Sequence, residues 1–391
     1  MRQALEGSLA VARAVGLCRP QVVSAYPITP QTHIVENIAK LVADGEIDAE
    51  LVSVESEFSA ASVALGAAAA GSRAYTATSS QGILLMSEVL YNIAGMRVPL
   101  VMTCANRALG APISIWNDHQ DSMAVRDAGW IQLYCADNQE AVDTTIQAYR
   151  IAESVELPVM VCVDGFTLTH TMEIVDLPAP SAVDDFLPAY RFSRVLDPSE
   201  PRTLGTLVTP EHFTEVRYTH HNDLLAAAPV IEACDREWAT RVGRESGGLV
   251  RSFGDDTARI GVLALGSIVG TLRAAVAERG ETDGVRLIQL RCLRPFPTDA
   301  LRTVCAGLDE VIVVERALSP GQGGIVGTEV RAAFAGVEGA PRIHNVAVGL
   351  GGRNVPIELL ARLLEALPDL RGESFRIFDL NSEHLPSEDA G

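Results

Sequence analysis

Short runs of β-branched and other apolar residues alternate along the chain with longer stretches in which apolar positions recur every three to four residues. The runs Gln21–Tyr26, Leu51–Glu55, Ala74–Thr78, Pro99–Cys104, Trp130–Cys135 and Pro158–Val163 predict strands. The stretches Ala4–Gly16, Gln31–Val42, Ser59–Ala70, Ile83–Ala94 and Gln139–Ser154 predict helices between them. The strand runs are nearly continuous in apolar residues, as in a parallel sheet buried on both faces.

From about Asp176 to Asp256 the pattern gives way to Pro-rich and acidic stretches, followed by one predicted helix over His212–Val242. A second set of alternating elements follows: strands at Arg259–Leu265, Val285–Gln289, Glu310–Glu315 and Ile343–Val348, and helices at Ser267–Arg279, Thr298–Ala306 and Pro356–Ala366. The expected fold class is therefore α/β, with two domains that are each a mostly parallel sheet covered by helices. The boundaries are 1–175 for the first domain, 176–256 for a connecting arm, 257–375 for the second domain and 376–391 for a polar tail.

Charge narrows the partners. The chain has 391 residues, 31 basic against 50 acidic, for a formal charge of -19. Nucleic acid is excluded, because binding phosphates needs a cationic face. An acidic ferredoxin is equally ill suited to dock here. The longest weakly polar run, Ala60–Gly71, is too short and too rich in Ala and Gly to cross a membrane, and Glu6 and Arg13 interrupt any signal peptide. The 7 cysteines are unclustered, which reads as reduced core thiols of a cytoplasmic protein and leaves no motif for an iron-sulfur cluster or zinc ribbon.

Ligands of an open parallel sheet bind beyond the carboxyl ends of its strands, and four such junctions carry polar chemistry. In Tyr26-Pro27-Ile28-Thr29-Pro30, Thr29 reads locally as an N-cap with Pro30 at the first helical position; the alternative is a rigidly placed hydroxyl beside an anion. In Val54-Glu55-Ser56-Glu57, Ser56 is an N-cap and Glu57 suits the first turn. The helix that follows is nearly all small apolar residues, so an acid at its start shares its burial, and burial favours the protonated carboxyl. Thr76-Ala77-Thr78-Ser79-Ser80-Gln81-Gly82 offers hydroxyls and an amide to a polar ligand edge, while the apolar Ile83-Leu84-Leu85-Met86 that follows reads equally as plain core. Arg107, just beyond the fourth strand, is either solvated or paired with an acid, or else uses its fork to grip a carboxylate.

Two other motifs are set aside. Asn117-Asp118-His119-Gln120-Asp121 lacks metal-ligand spacing, so no metal site is assigned to this chain. The glycine-rich Gly321–Gly327 lies between a strand and a helix, but Val326 falls where a dinucleotide loop needs its third glycine, so it reads as a tight turn.

Taken together, the segments Tyr26–Pro30, Val54–Ala60, Thr78–Gly82, Ala105–Met123 and Val161–Phe166 resemble the α subunit of pyruvate:ferredoxin oxidoreductase, a 2-oxoacid:ferredoxin oxidoreductase in its split-subunit form. Leu265–Thr271, Arg291–Pro297 and Val348–Arg353 match as well, so the resemblance runs over nearly the whole chain and is weakest in the arm and tail.

The resemblance implies that the first domain binds the aminopyrimidine of thiamine diphosphate and that the second is transketolase C-terminal-like. It makes Glu57 the catalytic acid on the pyrimidine, places Pro27 and Gln81 with Glu57 in cofactor binding, and gives Thr29 and Arg107 the substrate's carboxylate and carbonyl. It implies oxidative decarboxylation of pyruvate with coenzyme A to acetyl-CoA, CO2 and reduced ferredoxin. No Gly-Asp-Gly element occurs for Mg2+ and the diphosphate. A β chain is therefore expected to hold the diphosphate, Mg2+ and the nearest iron-sulfur cluster, a ferredoxin-like δ chain to carry further clusters, and a γ chain to complete the heteromer. A branched-chain 2-oxoacid or oxalate is an alternative substrate, although relatives acting on 2-oxoglutarate commonly carry an extra N-terminal domain that is not seen here. A scaffold subunit with a vestigial site, or a nicotinamide-linked dehydrogenase, would be a different class of protein.

Overall fold

The computed structural model describes residues 2–279 and 284–385. In chain order the first unit is β1 (Arg2–Glu6), α1 (Gly7–Leu17), β2 (Val22–Ala25), α2 (Thr32–Ala43), β3 (Glu50–Ser53), α3 (Glu57–Ala69), β4 (Ala74–Thr78), α4 (Gln81–Leu85), α5 (Ser87–Gly95), β5 (Val101–Asn106), α6 (Gln120–Ala124), β6 (Ile131–Tyr134), α7 (Asn138–Val155), β7 (Val159–Asp164) and β8 (Met172–Asp176). After α8 (Pro180–Phe186) and α9 (Pro210–Val242) come β9 (Val250–Gly254), β10 (Ile260–Ala264), α10 (Ile268–Arg279), β11 (Val285–Leu290), β12 (Cys292–Arg294), α11 (Thr298–Val304), β13 (Glu310–Glu315), α12 (Ile325–Phe334), β14 (Arg342–Ala347), α13 (Leu359–Leu370) and β15 (Arg376–Ile377).

The large sheet has the order β12-β6-β7-β5-β4-β2-β3 and is parallel except at β12. All six residues of β5 and of β7 are buried, as their unbroken apolar runs require. Successive side chains feed opposite faces: Val101 and Ala105 join a core with α1, α2, α7 and Trp238 of α9, while Met102 and Cys104 join a core with α3 and α5. This second core continues through Ile288, Leu290, Leu293 and Val313, so the two units share apolar packing. The smaller sheet, β15-β14-β13-β10-β11-β9, is parallel except at β9. Among the described residues no helix is long and apolar enough to cross a membrane.

Several expectations change. The helix expected from Ala4 begins only at Gly7: Arg2–Glu6 is a strand that pairs antiparallel with Met172–Asp176. The helix expected over Ile83–Ala94 is two helices that meet at Met86. Val250–Gly254, placed by its sequence in the connecting arm, is an edge strand of the smaller sheet. Arg376–Ile377, placed in the polar tail, pairs with Val346–Ala347 at the other edge; residues 386–391 of that tail lie outside the described residues. The predicted helix His212–Val242 is α9, which runs from Pro210 at its first turn to a left-handed cap at Gly243 (φ 75°).

Candidate active site

The site sits where the sheet changes winding direction. From β2 the chain crosses to β3 on one side and then back to β4 on the other, which opens the ligand-binding crevice between β2 and β4 at their carboxyl ends. Thr29 follows β2, Glu57 follows β3, Gln81 follows β4 and Arg107 follows β5, on four neighbouring strands.

Thr29 is not an N-cap. The helix starts at Thr32, and buried Gln31 holds the turn instead: its Oε1 accepts from the Ile28 N–H at 3.2 Å and its Nε2 donates to the Ala77 carbonyl at 3.0 Å. Thr29 is thereby released and exposed, with its carbonyl accepting from Arg107 Nη1 at 2.9 Å. Pro27 is exposed at the mouth of the same turn. Arg107 also donates from Nε to the Ser114 carbonyl at 3.0 Å, and no carboxylate among the described residues pairs with its half-buried guanidinium.

Glu57 opens α3, after Ser56 as a true N-cap whose Oγ accepts from the Ser59 N–H at 3.2 Å. Ala60, Ala61, Ala64 and Ala68 form the buried side of α3. Their small volume lets the helix lie close on the sheet and carries Glu57 down to 7% exposure. Its carboxyl receives no hydrogen bond from the described residues. It lies over Gly82, where an added Cβ would come within 2.4 Å of Thr78 Oγ1 and 2.8 Å of Glu57 Oε1. Solvent still reaches the carboxyl oxygens, so the group is open to a ligand that offers a donor. Gln81 is exposed beside it, its amide nitrogen close against Gly110 of the Arg107 loop.

Asp121 was absent from the sequence-based set, and it ties these parts together. One carboxylate oxygen accepts from the N–H groups of Ser80 and Arg107, each at 2.9 Å. The other accepts from Asn106 Nδ2 and the Ser122 N–H, each at 2.8 Å. Burial pushes its pKa up while these donors oppose the shift. Ser80, at φ 50° a strained position for a side-chain-bearing residue, is held there by this bond and by its hydroxyl on the Ala108 carbonyl. No spacing signal distinguished Asp121, because its partners come from two other strand ends.

The segment Asn117–Asp121 also fastens the second unit. Asp164, fully buried, accepts from His119 Nε2 (2.7 Å), Asn117 Nδ2 (2.9 Å), the Ser267 hydroxyl (2.5 Å) and Arg316 Nη1 (3.3 Å). Burial works against its ionisation, but His119 and Arg316 outweigh burial and hold it well below the usual carboxylate range. Asp118 accepts from the Gly351 N–H at 3.2 Å, and burial pushes its pKa up to about 6. The glycine-rich turn before α12 is likewise satisfied from within: Glu315 accepts from the N–H groups of Ile325, Val326 and Gly327 at 2.9 to 3.0 Å, so a carboxylate already occupies the helix start that a dinucleotide phosphate would use.

Exposed apolar side chains lie in the same segments as these residues. Tyr26, Phe58, Leu84 and Leu85 stand within four residues of Pro27, Glu57 or Gln81, and Ile113 (82% exposed), Ile115 and Trp116 lie in the loop that follows Arg107. The 660 Å3 cleft lined by Arg13, Leu17, Leu41 and Ile47 lies at the opposite end of the sheet, by the carboxyl ends of α1 and α2, and plays no part here.

Residues 13–236 match the family model described as pyruvate flavodoxin/ferredoxin oxidoreductase, thiamine diphosphate-binding, and residues 258–360 match pyruvate:ferredoxin oxidoreductase core domain II. The chain is 45% identical over 366 residues to the pyruvate synthase subunit PorA of Methanosarcina barkeri, covering 92% of this chain and 91% of that one. It is 39% identical to the ketoisovalerate oxidoreductase subunit VorA of Pyrococcus abyssi, covering 93% of each. Among solved structures, the 2-oxoglutarate:ferredoxin oxidoreductase of Magnetococcus marinus superposes with a TM-score of 0.72 at 20% identity, covering 93% of this chain and 65% of that chain, a likeness of fold. A split-gene transketolase superposes at 0.53 with 12% identity, covering 95% of this chain and 99% of that one.

Proposed function

The chain belongs to the pyruvate flavodoxin/ferredoxin oxidoreductase family, as the α subunit of a thiamine diphosphate-dependent 2-oxoacid:ferredoxin oxidoreductase, and from that premise we propose that its substrate is pyruvate and that a partner chain completes its active site. Pyruvate is favoured because the relatives at 41 to 45% identity carry the name pyruvate synthase subunit. The overall reaction is oxidative decarboxylation: pyruvate and coenzyme A become acetyl-CoA and CO2, and an electron pair passes to ferredoxin.

The observation that carries the proposal is the Glu57 carboxyl, on a residue only 7% exposed and without a donor among the described residues, together with an Arg107 fork that no carboxylate among them pairs with. Thiamine diphosphate fits this pair, since its pyrimidine nitrogen gives the carboxyl a hydrogen-bond partner. When bound, the cofactor supplies the carbon nucleophile that adds to the 2-oxo carbon and the electron sink for decarboxylation. Glu57 shares a proton with the ring nitrogen and so sets the proton on the aminopyrimidine. Pro27 and Gln81 flank that end. Arg107 grips the substrate carboxylate through N–H groups left free by Ser114 and Thr29, and the Thr29 hydroxyl donates to the substrate carbonyl; together they fix the carbonyl's approach.

The exposed apolar rim supports a β chain that closes the site and holds the diphosphate, Mg2+ and a cluster, because patches of this kind on a protein surface mark interfaces. The γ and ferredoxin-like δ chains complete the heteromer, and the charge of -19 directs ferredoxin to one of those chains. Seven buried free thiols suit a reducing cytoplasm. The deciding experiment is reconstitution with the β chain and assay of ferredoxin reduction from pyruvate. Glu57→Gln and Arg107→Ala should each abolish most of the turnover; wild-type rates in the first remove Glu57 as the acid, and in the second they indicate a scaffold subunit.

A further inference from the structure

Beside the site, three side chains from distant parts of the chain converge. Glu6 ends β1, His33 lies in the first turn of α2, and His170 lies in the turn between β7 and β8. One ligand-capable atom from each lies within 4.8 Å of the other two. We propose that Glu6, His33 and His170 form a binding site for a first-row divalent metal ion of the zinc class.

The donor set is the borderline one that such ions select, two imidazoles and a carboxylate, and three protein ligands leave a position open to water or a further ligand. The donor atoms, spread over up to 4.8 Å, must rearrange by about 1 Å to surround an ion. His33 Nδ1 and Glu6 Oε1 are 2.8 Å apart, whereas two ligands at about 2.0 to 2.1 Å from a tetrahedral ion stand about 3.4 Å apart, so a small separation of a hydrogen-bonded pair admits the ion. The His33 and His170 rings lie side by side, with centroids 4.3 Å apart and planes tilted by 31°. His170 has an orienting partner of its own: its Nδ1 is 2.8 Å from Thr169 Oγ1, which fixes the ring and leaves Nε2 without a hydrogen-bond partner among the described residues. Buried Thr169 is in turn held by the Phe166 N–H at 2.8 Å. Glu6 and His170 are half-buried and His33 is exposed, so an ion can enter from solvent.

Sequence spacing could not reveal the trio, since Glu6 and His33 alone are 27 residues apart. The ribbon of β1 on β8, with Glu6 opposite Met172, is what brings the amino-terminal strand to His170. The stack runs on from His170 through Phe166 to Trp116, with centroids 4.7 Å apart at each step, and Trp116 belongs to the Arg107 loop. A filled site would therefore clamp β1, the turn after β7 and the start of α2, four residues on from Thr29. It takes no part in the chemistry assigned to Glu57 and Arg107.

The test uses the full chain freed of metal by a chelator and titrated with Zn2+ by calorimetry, and with Co2+ by visible absorption. One equivalent of Zn2+, a ligand-field band of low-coordinate Co2+, and at least about tenfold weaker binding in each of Glu6→Gln, His33→Ala and His170→Ala are expected, with circular dichroism confirming the fold. Absence of the Co2+ band in the wild-type chain overturns the proposal without any variant. Equal Zn2+ affinity in the wild type and a folded His170→Ala also overturns it, as binding elsewhere. Failure of Glu57→Gln to affect turnover would touch only the assigned acid, since metal binding is read without activity.

Discussion

Gly82→Ala is expected to separate catalysis from stability. The added Cβ would lie 2.4 Å from Thr78 Oγ1 and 2.8 and 2.9 Å from Glu57 Oε1 and Cγ, where van der Waals contact needs 3.4 Å or more. Both neighbours must therefore give way: the Thr78 hydroxyl has to turn aside within the buried end of β4, and the Glu57 side chain, which no hydrogen bond from the described residues restrains, has to shift from its place over Gly82. Overpacking of this kind costs about 1 to 3 kcal/mol. Gly82 lies inside α4, however, and Ala gains about 1 kcal/mol there from helix propensity. The net loss of stability is therefore only about 0 to 2 kcal/mol. A carboxyl moved by somewhat under 1 Å from its partner atom can cost about 100-fold in rate. Equilibrium denaturation of the chain, together with steady-state ferredoxin reduction by the reconstituted complex, should show near-native unfolding with kcat/KM down by about two orders of magnitude. Near-wild-type turnover in a folded Gly82→Ala would refute the reasoning, because Glu57 would then not be acting from the position it holds over Gly82.

Removing the tie between strand ends, Asp121→Ala leaves the N–H groups of Ser80 and Arg107 unpaired; KM for the 2-oxoacid should rise at least about tenfold, more than kcat falls, as lost placement of Arg107 predicts. Asp164→Asn leaves buried Arg316 and His119 without their anion and should destabilise the chain by about 3 to 5 kcal/mol in denaturant titrations. The wild-type Asp164 pKa is depressed, so its contribution is present above the unfolded carboxylate range and fades as pH falls through the folded pKa. Asp118 behaves oppositely: with its pKa raised to about 6 it favours the folded state at low pH, and this contribution disappears as pH rises from about 4 to about 6. Over that window it amounts to roughly 3 kcal/mol, and Asp118→Asn should flatten that part of the stability profile.

The alternation of strand and helix, the parallel class of sheet and the four strand-end junctions were legible in the sequence, because each is written within a short window: apolar periodicity, an N-cap at Ser56, a run of alanines behind Glu57. Thr29, Glu57, Gln81 and Arg107 could be singled out for the same reason. Local rules also misjudged what they could not see. Thr29 looked like a cap, yet Gln31 reaches across to Ala77 and takes over the turn. Ala4–Glu6 looked helical, yet its backbone pairs with residues about 170 positions away.

Only the tertiary structure decided which groups meet. Cys292–Arg294, from the second unit, closes the edge of the first unit's sheet beside β6, and Asp164 collects donors from Asn117, Ser267 and Arg316. Glu315 fills its own helix start, and Asp121 joins the ends of β4 and β5. Strand pairing and burial of polar groups are satisfied by whatever partner the fold delivers, at any sequence separation. A chain's periodicity therefore determines its elements and the residues at their ends, whereas the donors and acceptors that fix those residues in place emerge only once the sheets are assembled.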